Sequence, residues 1–346
     1  MAASAAGGCP ELSIVIVSWN VRECLSDCLE SIAVHAPAVE HEVIVVDNAS
    51  CDDSVSMLRA AYPRVRVVEN DQNRGFSVAC NQGVAVARGA FVLFLNPDAR
   101  VTAGCIDALL AAIRGDPSAG LAGPMIRDRD GSLVRASRRP TYSLWNAFRK
   151  LFLIDELASR TMRVRDDDPR YAESGPTGCL QGSCLMARRA DLTRLGGFDE
   201  RVPLYLDDID LCLRYRRAGY TVHYEASALV IHAGARAVEK LPNPRVGSLV
   251  GYIANDVYFY QHFGCAHVLA HHAMLASGAT LLLLVDLALS PVLLLVAPRV
   301  CLGYLGQHAW MWIYGLTFAM APSGYPSGWP RSFWRLLEPQ TPLRAG

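Results

Sequence analysis

Three polar groups in this chain stand where an apolar run ends: Asp47 after Val43-Ile-Val-Val46, Asp98 after Phe91-Val-Leu-Phe-Leu-Asn-Pro97, and His232 after Ala228-Leu-Val-Ile231. A carboxylate at position 98 can hold a metal bound to phosphate. One at position 47 can accept a hydrogen bond from a ring N–H, such as N3–H of a pyrimidine, or from a ribose hydroxyl. The imidazole of His232 can join Asp98 as a metal ligand. Each has a plain structural alternative, because Asn96-Pro97-Asp98 and Asp47-Asn48 are ordinary turn and cap residues and an isolated histidine commonly only packs. Asn73-Arg74-Gly75-Phe76 opens a helix, where backbone N–H groups and Arg74 could face a pyrophosphate or simply solvent. Asp207, Asp208 and Asp210 form the densest carboxylate cluster. On a helix, residues three apart share a face, so Asp207 and Asp210 point together and Asp208 points about a quarter-turn away. The helix dipole stabilises carboxylates at such an end, and one of them could also act as a general base toward an attacking hydroxyl.

The elements that must position these groups follow from the same apolar runs. Leu12 to Ser18 reads as a buried strand followed by a helix from about Arg22 to His35. Glu42 to Asp47 is a second strand, after which Asn48, Ala49 and Ser50 turn into a short helix ending near Pro63. Arg64 to Val68 is a third strand, and Gly75 to Arg88 a helix stopped by Gly89. Phe91 to Leu95 is continuous and bulky, as in a strand buried on both faces, and Pro97 cannot continue it. This alternation predicts an α/β fold with a doubly wound, mainly parallel sheet, in which ligands sit in the crevice beyond the carboxyl ends of the strands. Past Asp98, Thr102 is expected to cap a helix running to about Arg114, and Leu121 to Arg135 to form a hairpin turning at Asp130-Gly131. The charged segment from Arg138 to Tyr171, with Asp166-Asp167-Asp168-Pro169 in a loop, reads as solvated surface. Gly178 to Ala187 is expected to be a strand leading into a helix at Arg188 to Arg194, which Gly196-Gly197 breaks. The aspartate cluster starts a further helix stopped at Gly219, and two short strands, Tyr220 to Tyr224 and Ala228 to Ile231, deliver His232.

Composition narrows the function classes. Across 346 residues, 33 Lys and Arg balance 33 Asp and Glu, so no global positive field would draw nucleic acid. The 11 cysteines contain no Cys-x-x-Cys pair and read as reduced thiols of a cytoplasmic protein, with Cys24 and Cys28 packing on one helix face. Residues 1–10 read as a flexible N-terminus without a basic and apolar leader. No Gly-x-Gly-x-x-Gly and no Walker-type loop is present, so dinucleotide and P-loop chemistry have no anchor.

In sequence order, SIVIVSWN (Ser13 to Asn20), EVIVVDNAS (Glu42 to Ser50), NRGFSVACNQG (Asn73 to Gly83), FVLFLNPDA (Phe91 to Ala99), GSCLMARR (Gly182 to Arg189), GGFDE (Gly196 to Glu200) and YLDDIDLCLR (Tyr205 to Arg214) resemble glycosyltransferase family 2, in its bacterial rhamnosyltransferase-like branch. The resemblance implies a glycosyltransferase A-type catalytic domain over 11–264, with a donor half at about 11–100 and an acceptor half at about 101–264. It implies a nucleotide-diphosphate sugar donor and a divalent cation, Mg²⁺ or Mn²⁺. By the same resemblance Ser18, Asn20, Asp47, Asn73, Arg74, Gly75, Asn81 and Asn96 line the donor nucleotide, and Asp98 and His232 hold the metal. Asp208 is then the general base with Asp207 beside it, and Gly182 and Asp210 line the acceptor and sugar pocket. Two departures stand out: Asn96-Pro97-Asp98 offers one carboxylate where many members have two or three, and Asp207 replaces the usual Glu. The implied reaction is inverting transfer of L-rhamnose from dTDP-rhamnose to a glycan or glycolipid hydroxyl in cell-envelope or surface-polysaccharide assembly. Transfer of galactofuranose or an N-acetylhexosamine from a UDP donor is the alternative, and a non-catalytic nucleotide-sugar-binding or membrane-complex partner is the alternative of another class.

Residues 265–346 form an apolar appendage. Ala273 to Ala297 is dominated by Leu, Ala and Val, with Asp286 and Pro291 inside it, and a Trp-rich stretch from Val300 to Met320 follows. The first run is about as long as the roughly 20 residues a membrane helix needs. Asp286 at mid-span would cost about 2.5–3.5 kcal/mol on insertion scales. Two arrangements fit: helices in contact with the cytoplasmic face of the cell membrane, peripheral or integral through about 273–320, or helices packing on the catalytic domain or on a second copy in a homo-oligomer. An apolar run on every helical face, with Trp310, Trp312 and Trp334 near its end, favours the membrane.

Overall fold

The computed structural model describes residues 9–151, 168–202, 205–232 and 244–296, together with 306, 308–309 and 311–316. Residues 1–8, Asp166-Asp167, Trp310, Trp334 and most of the stretch from Val300 to Met320 lie outside the described residues. Two compact units emerge. One is built from 9–141, 168–202 and 205–232, the other from 142–151, 244–296 and the described residues up to 316.

The first unit is organised on nine strands: β1 (Leu12–Ser18), β2 (His41–Asp47), β3 (Arg66–Glu69), β4 (Phe91–Leu95), β5 (Ala99–Val101), β6 (Ala119–Arg127), β7 (Gly175–Pro176), β8 (Cys184–Arg188) and β9 (Thr221–His232). Their order is β3-β2-β1-β4-β8-β6-β9-β5, with β7 on the side of β9. From β3 to β4 the sheet is parallel, as the alternating runs require. The chain winds from β1 outward to β3 and then returns with β4 on the other side of β1. The carboxyl ends of β1 and β4 therefore flank a topological switch point, where a crevice opens.

Helices cover both faces, which is why the central strands are apolar on both. Leu12, Ile14 and Ile16 of β1 pack in one core with Leu25 and Leu29 of α1 (Arg22–Val34), Leu58 of α2 (Ser54–Ala61) and Leu109 of α4 (Cys105–Gly115). On the opposite face α3 (Phe76–Val86) sits so close that a Cβ on Gly83 would lie 2.3 Å from Cγ1 of Val15.

Three local expectations change. Leu121 to Arg135 is not a hairpin: its first half, β6, is buried in the sheet between β8 and β9, and the return makes only a bridge from Arg127 to Leu133 around Gly131 at φ +83°. A long run that can bury both faces finds sheet neighbours in preference to a local partner. Thr102 does not cap α4. Its hydroxyl donates to Leu229 O at 2.8 Å, and the helix starts after Gly104 at φ +74°. The two short strands before His232 are one strand, β9, with a register shift opposite Pro124 and Met125. The sheet is mixed beyond β4, because β8 runs antiparallel to both β4 and β6.

The second unit contains α5 (Leu144–Leu151), α9 (Pro244–Phe263) and α10 (Cys265–Val296), the remaining helices of the first unit being α6 (Pro169–Ala172), α7 (Arg189–Arg194) and α8 (Asp207–Arg217). Leu275 and Ala279 of α10 pack with Met311 and Tyr314, and a Cβ on Gly315 would stand 2.8 Å from Ala276 N. Asp256 is fully buried here, with His271 Nδ1 and His272 Nε2 each 2.8 Å from its oxygens and the Tyr314 hydroxyl donating to it. Farther along α10, Leu281, Leu284, Val285 and Leu287 are exposed, and Asp286 Oδ2 lies 2.6 Å from His308 Nδ1.

The ten cysteines among the described residues are thiols. Cys28, Cys80, Cys105, Cys179, Cys184 and Cys212 are buried, whereas Cys9, Cys51 and Cys265 are exposed. Burial pushes the Cys105 thiol up to about 12 and raises Cys28, Cys80 and Cys184 as well.

Candidate active site

Strand ends build the first part of the site. β1 releases Ser18 and then Asn20, which takes the left-handed conformation at φ +55°. Asn20 N–H donates to Ser50 Oγ at 2.9 Å, and Asn20 Oδ1 accepts from Cys51 N–H at 2.8 Å, so the loops after β1 and β2 are tied together. β2 ends on Asp47, whose Oδ2 accepts from Ser50 N–H at 2.8 Å. Its Oδ1 is buried with no partner among the described residues, and so is Ser18 Oγ. Asp47 is 2% exposed, and burial lifts its carboxyl above the usual range. A buried oxygen without a donor is destabilising. A ring N–H arriving at Oδ1 would supply the missing bond.

Asn73 Oδ1 accepts from Gly75 N–H at 3.0 Å, fixing the start of α3, where Gly75 has φ +87°. Arg74 beside it is exposed. Asn81 is occupied differently: its amide both accepts from Phe198 N–H at 2.8 Å and donates to Phe198 O at 2.9 Å, and also reaches Glu200. Its part is to hold the Gly196 to Glu200 turn against α3.

The register of β5 on β9 sets Ala99 opposite His232 and so brings Asp98 to the imidazole. Asp98 Oδ1 lies 3.1 Å from His232 Nε2, with side chains 8% and 9% exposed. Asn96 Nδ2 stands 3.5 Å from the same nitrogen, and Gln181 Nε2 3.4 Å from Nδ1. Gln181 Oε1 and Ser183 Oγ nearby are buried without partners among the described residues. One carboxylate and one imidazole, with orphaned oxygens beside them, fit a hard divalent cation that keeps waters and takes its remaining ligands from a phosphate. Among the described residues no group of three His, Cys, Asp or Glu side chains gathers into a closed cage.

β8 runs antiparallel to β4, so its first residues arrive at the same edge, Cys184 opposite Leu95. Just before it, Gly182 N–H donates to Asp208 Oδ2 at 2.9 Å. A Cβ on Gly182 would come within 3.1 Å of Asp208 Cβ, which explains the glycine. Asp208 Oδ2 also accepts from Arg139 Nη2 at 2.8 Å, and Oδ1 accepts from Ile209 N–H at 2.7 Å. Asp207, 7% exposed, is pushed up to about 8 by its burial and then by the charge of Asp208. At neutral pH Asp207 therefore holds its proton. Both follow Tyr205 and Leu206, left-handed at φ +64° and +59°. Asp210 is separate from this pair: its side chain is fully buried on Arg214, Nε to Oδ2 2.7 Å, and Arg214 also binds the carbonyls of Leu195 and Gly197.

Arg139 was not among the sequence candidates. It comes from the segment read as solvated surface, 69 positions before Asp208, and no local pattern links the two. The sole hint is that adjacent acids demand a cation. Arg139 also borders a cavity of about 540 Å³, shared with Arg138, Pro140, Tyr171 and Thr177.

The family model for glycosyl transferase family 2 matches residues 13–195. An N-acetylglucosaminyl-diphospho-decaprenol L-rhamnosyltransferase of Mycobacterium tuberculosis is 33% identical over 243 residues, which are 67% of this chain and 78% of that protein. The low-salt glycan biosynthesis hexosyltransferase Agl10 of Haloferax volcanii is 24% identical over 216 residues, 61% of this chain and 64% of its own length. Among solved structures, the mannosyltransferase PcManGT from Pyrobaculum calidifontis in complex with GDP-Man and Mn²⁺ aligns at a TM-score of 0.48 and 18% identity, covering 92% of this chain and 89% of that one.

Proposed function

The chain belongs to glycosyl transferase family 2, and we propose that within it the protein transfers L-rhamnose from dTDP-rhamnose to a hydroxyl of a lipid-linked glycan, with inversion, in assembly of the cell envelope. The observation that carries this reading is the gathering of Asp47, the Asp98–His232 pair and Asp208 at one edge of the sheet, around its switch point. The choice of sugar and acceptor class rests on the 33% identical mycobacterial relative.

Asp47 Oδ1 accepts N3–H of the pyrimidine, filling the vacant bond of that buried oxygen. Asp98 and His232 would hold the divalent cation. When bound, the cation neutralises the charge that develops on the leaving diphosphate. Asp208 takes the proton of the acceptor hydroxyl as its oxygen attacks the anomeric carbon and the bond to the diphosphate breaks. Asp207, already protonated, does not compete for that proton. One base and one displacement invert the anomeric centre.

Thermal stabilisation by a donor panel tests the reading, since a ligand that binds the native state raises its apparent stability. dTDP-rhamnose with Mn²⁺ is expected to shift the transition, and UDP-galactofuranose and UDP-N-acetylhexosamines are not. Asp47→Asn is expected to weaken donor binding by about 10-fold to 100-fold, the worth of a hydrogen bond to a charged group. A shift confined to a UDP sugar would replace L-rhamnose, and no shift with any donor would remove the transferase assignment of this site.

The same reading includes contact with the cytoplasmic face of the membrane. Cys265–Ala288 is long and apolar enough to cross a bilayer by length and composition, and Leu281, Leu284 and Leu287 are bare. Asp286, costly in lipid by itself, has His308 as a partner. Lysis without detergent is expected to leave the protein with the membranes, and replacing those three leucines by serine to release it with donor binding retained. A wild-type protein found wholly in the soluble fraction would end this part of the proposal.

A further inference from the structure

We propose that Arg139 is the positioning residue of the reaction: it fixes Asp208 as the carboxylate that accepts the proton, and turns Oδ1 into the receiving oxygen. The inference rests on the reading of Asp208 as the base.

The geometry around Arg139 is that of a clamped group. Its backbone N–H and C=O exchange hydrogen bonds with Cys179 at 3.0 and 2.9 Å, and Thr177 Oγ1 donates to its carbonyl at 3.0 Å. At the far end Nη2 bridges Leu180 O at 2.7 Å and Asp208 Oδ2 at 2.8 Å. An exposed ion pair between two mobile side chains contributes little, but this one is held at both ends and its carboxylate is 14% exposed. Arg139 Nε is buried and has no partner among the described residues, so the guanidinium is held by Nη2 on the Asp208 side.

Two adjacent carboxylates cannot both be ionised at low cost, and a pair without a cation shares its charge. Asp207 and Asp208 face Arg139, Asp210 on their own helix, Cys80 of α3, and Cys179 and Cys212. Burial already disfavours charge on Asp207, and Arg139 adds to the difference because its hydrogen bond goes to Asp208. Its contact and that of Gly182 N–H occupy both lone pairs of Oδ2. Among the described residues Oδ1 has one donor, Ile209 N–H, which leaves a lone pair for the acceptor's proton.

Arg139→Met and Arg139→Lys test this through the pH profile of kcat. Losing a cation within about 4–6 Å raises a carboxyl pKa by about 1–3 units, so the acid limb of the Met variant is expected to move up by that amount. Its kcat at neutral pH should fall about 100-fold, as for a misplaced catalytic group. The Lys variant keeps a point charge and loses the fork. Its limb should stay near the wild-type position, with a smaller fall in kcat. Donor stabilisation with Mn²⁺ should be unchanged in both. A uniform loss at every pH with the limb unmoved, or a Lys variant no better than Met, would overturn the positioning role. Should the Met variant not fold, the Lys profile decides: a limb in place with lowered kcat supports the inference and a limb moved upward overturns it. Failure of the underlying reading shows itself separately, as turnover retained by Asp208→Asn.

Discussion

Asp208→Asn lowers kcat by about 100-fold to 10,000-fold, the range general bases supply, while Mn²⁺-dependent stabilisation by the donor stays at the wild-type level. The substitution is nearly isosteric, so the amide oxygen can still accept from Arg139 and from Gly182 N–H, and the start of α8 keeps two of its three anchors. What disappears is the negative charge that takes the proton. Asp207 is a poor substitute, because burial, the first cause of its raised pKa, still disfavours its charged form after the charge of Asp208 has gone. Single-turnover measurement with saturating donor and acceptor separates the chemical step from binding, and near-normal turnover would move the base elsewhere.

Asp98→Asn acts on the other half of the reaction. The carboxylate is 8% exposed and shares its site with His232 at 3.1 Å, so an amide there keeps the shape and removes the charge that draws a cation. The Mn²⁺-dependent part of the donor's thermal shift is expected to vanish, and kcat/KM to fall by about 100-fold to 1,000-fold, as when one electrostatic stabiliser is removed. Asp47→Asn, by contrast, weakens the donor with or without metal. If Asp98→Asn retained the full metal response, the cation would have to be held by other groups.

The strand ends were legible because an apolar run terminated by a single polar residue has few other uses. Asp47, Asp98 and His232 could be placed at one edge of a sheet before any coordinates, and the β5–β9 register then put two of them in contact. The path of β8 was not legible. Cys184 to Arg188 reads as a buried strand whichever way it runs, and only long-range pairing with β4 and β6 reverses it. That reversal is what delivers Gly182 and Gln181 to the site. Asn81 and Asp210 were drawn to the site by their motifs. In the fold Asn81 bonds the backbone of Phe198, and Asp210 holds Arg214, which donates to the carbonyls of Leu195 and Gly197. Arg139 was hidden for the opposite reason: in a run of charges, nothing local distinguishes a guanidinium that folds inward onto a carboxylate.

The distribution of thiols has a consequence for chemical labelling. A thiolate is the species that attacks an alkylating reagent, and burial holds Cys28, Cys80, Cys105 and Cys184 in the neutral form. Among the described thiols, Cys9, Cys51 and Cys265 are exposed to reagent and Cys24 is half-buried. Of these, Cys51 alone sits in the loop that Asn20 and Ser50 tie to the ends of β1 and β2, with its Sγ 3.3 Å from Asn20 Oδ1. With Cys9, Cys24, Cys265 and Cys301 replaced, a fluorophore on Cys51 becomes a probe in the loop after β2 that carries Asp47 at its start, which turns donor occupancy into an optical signal.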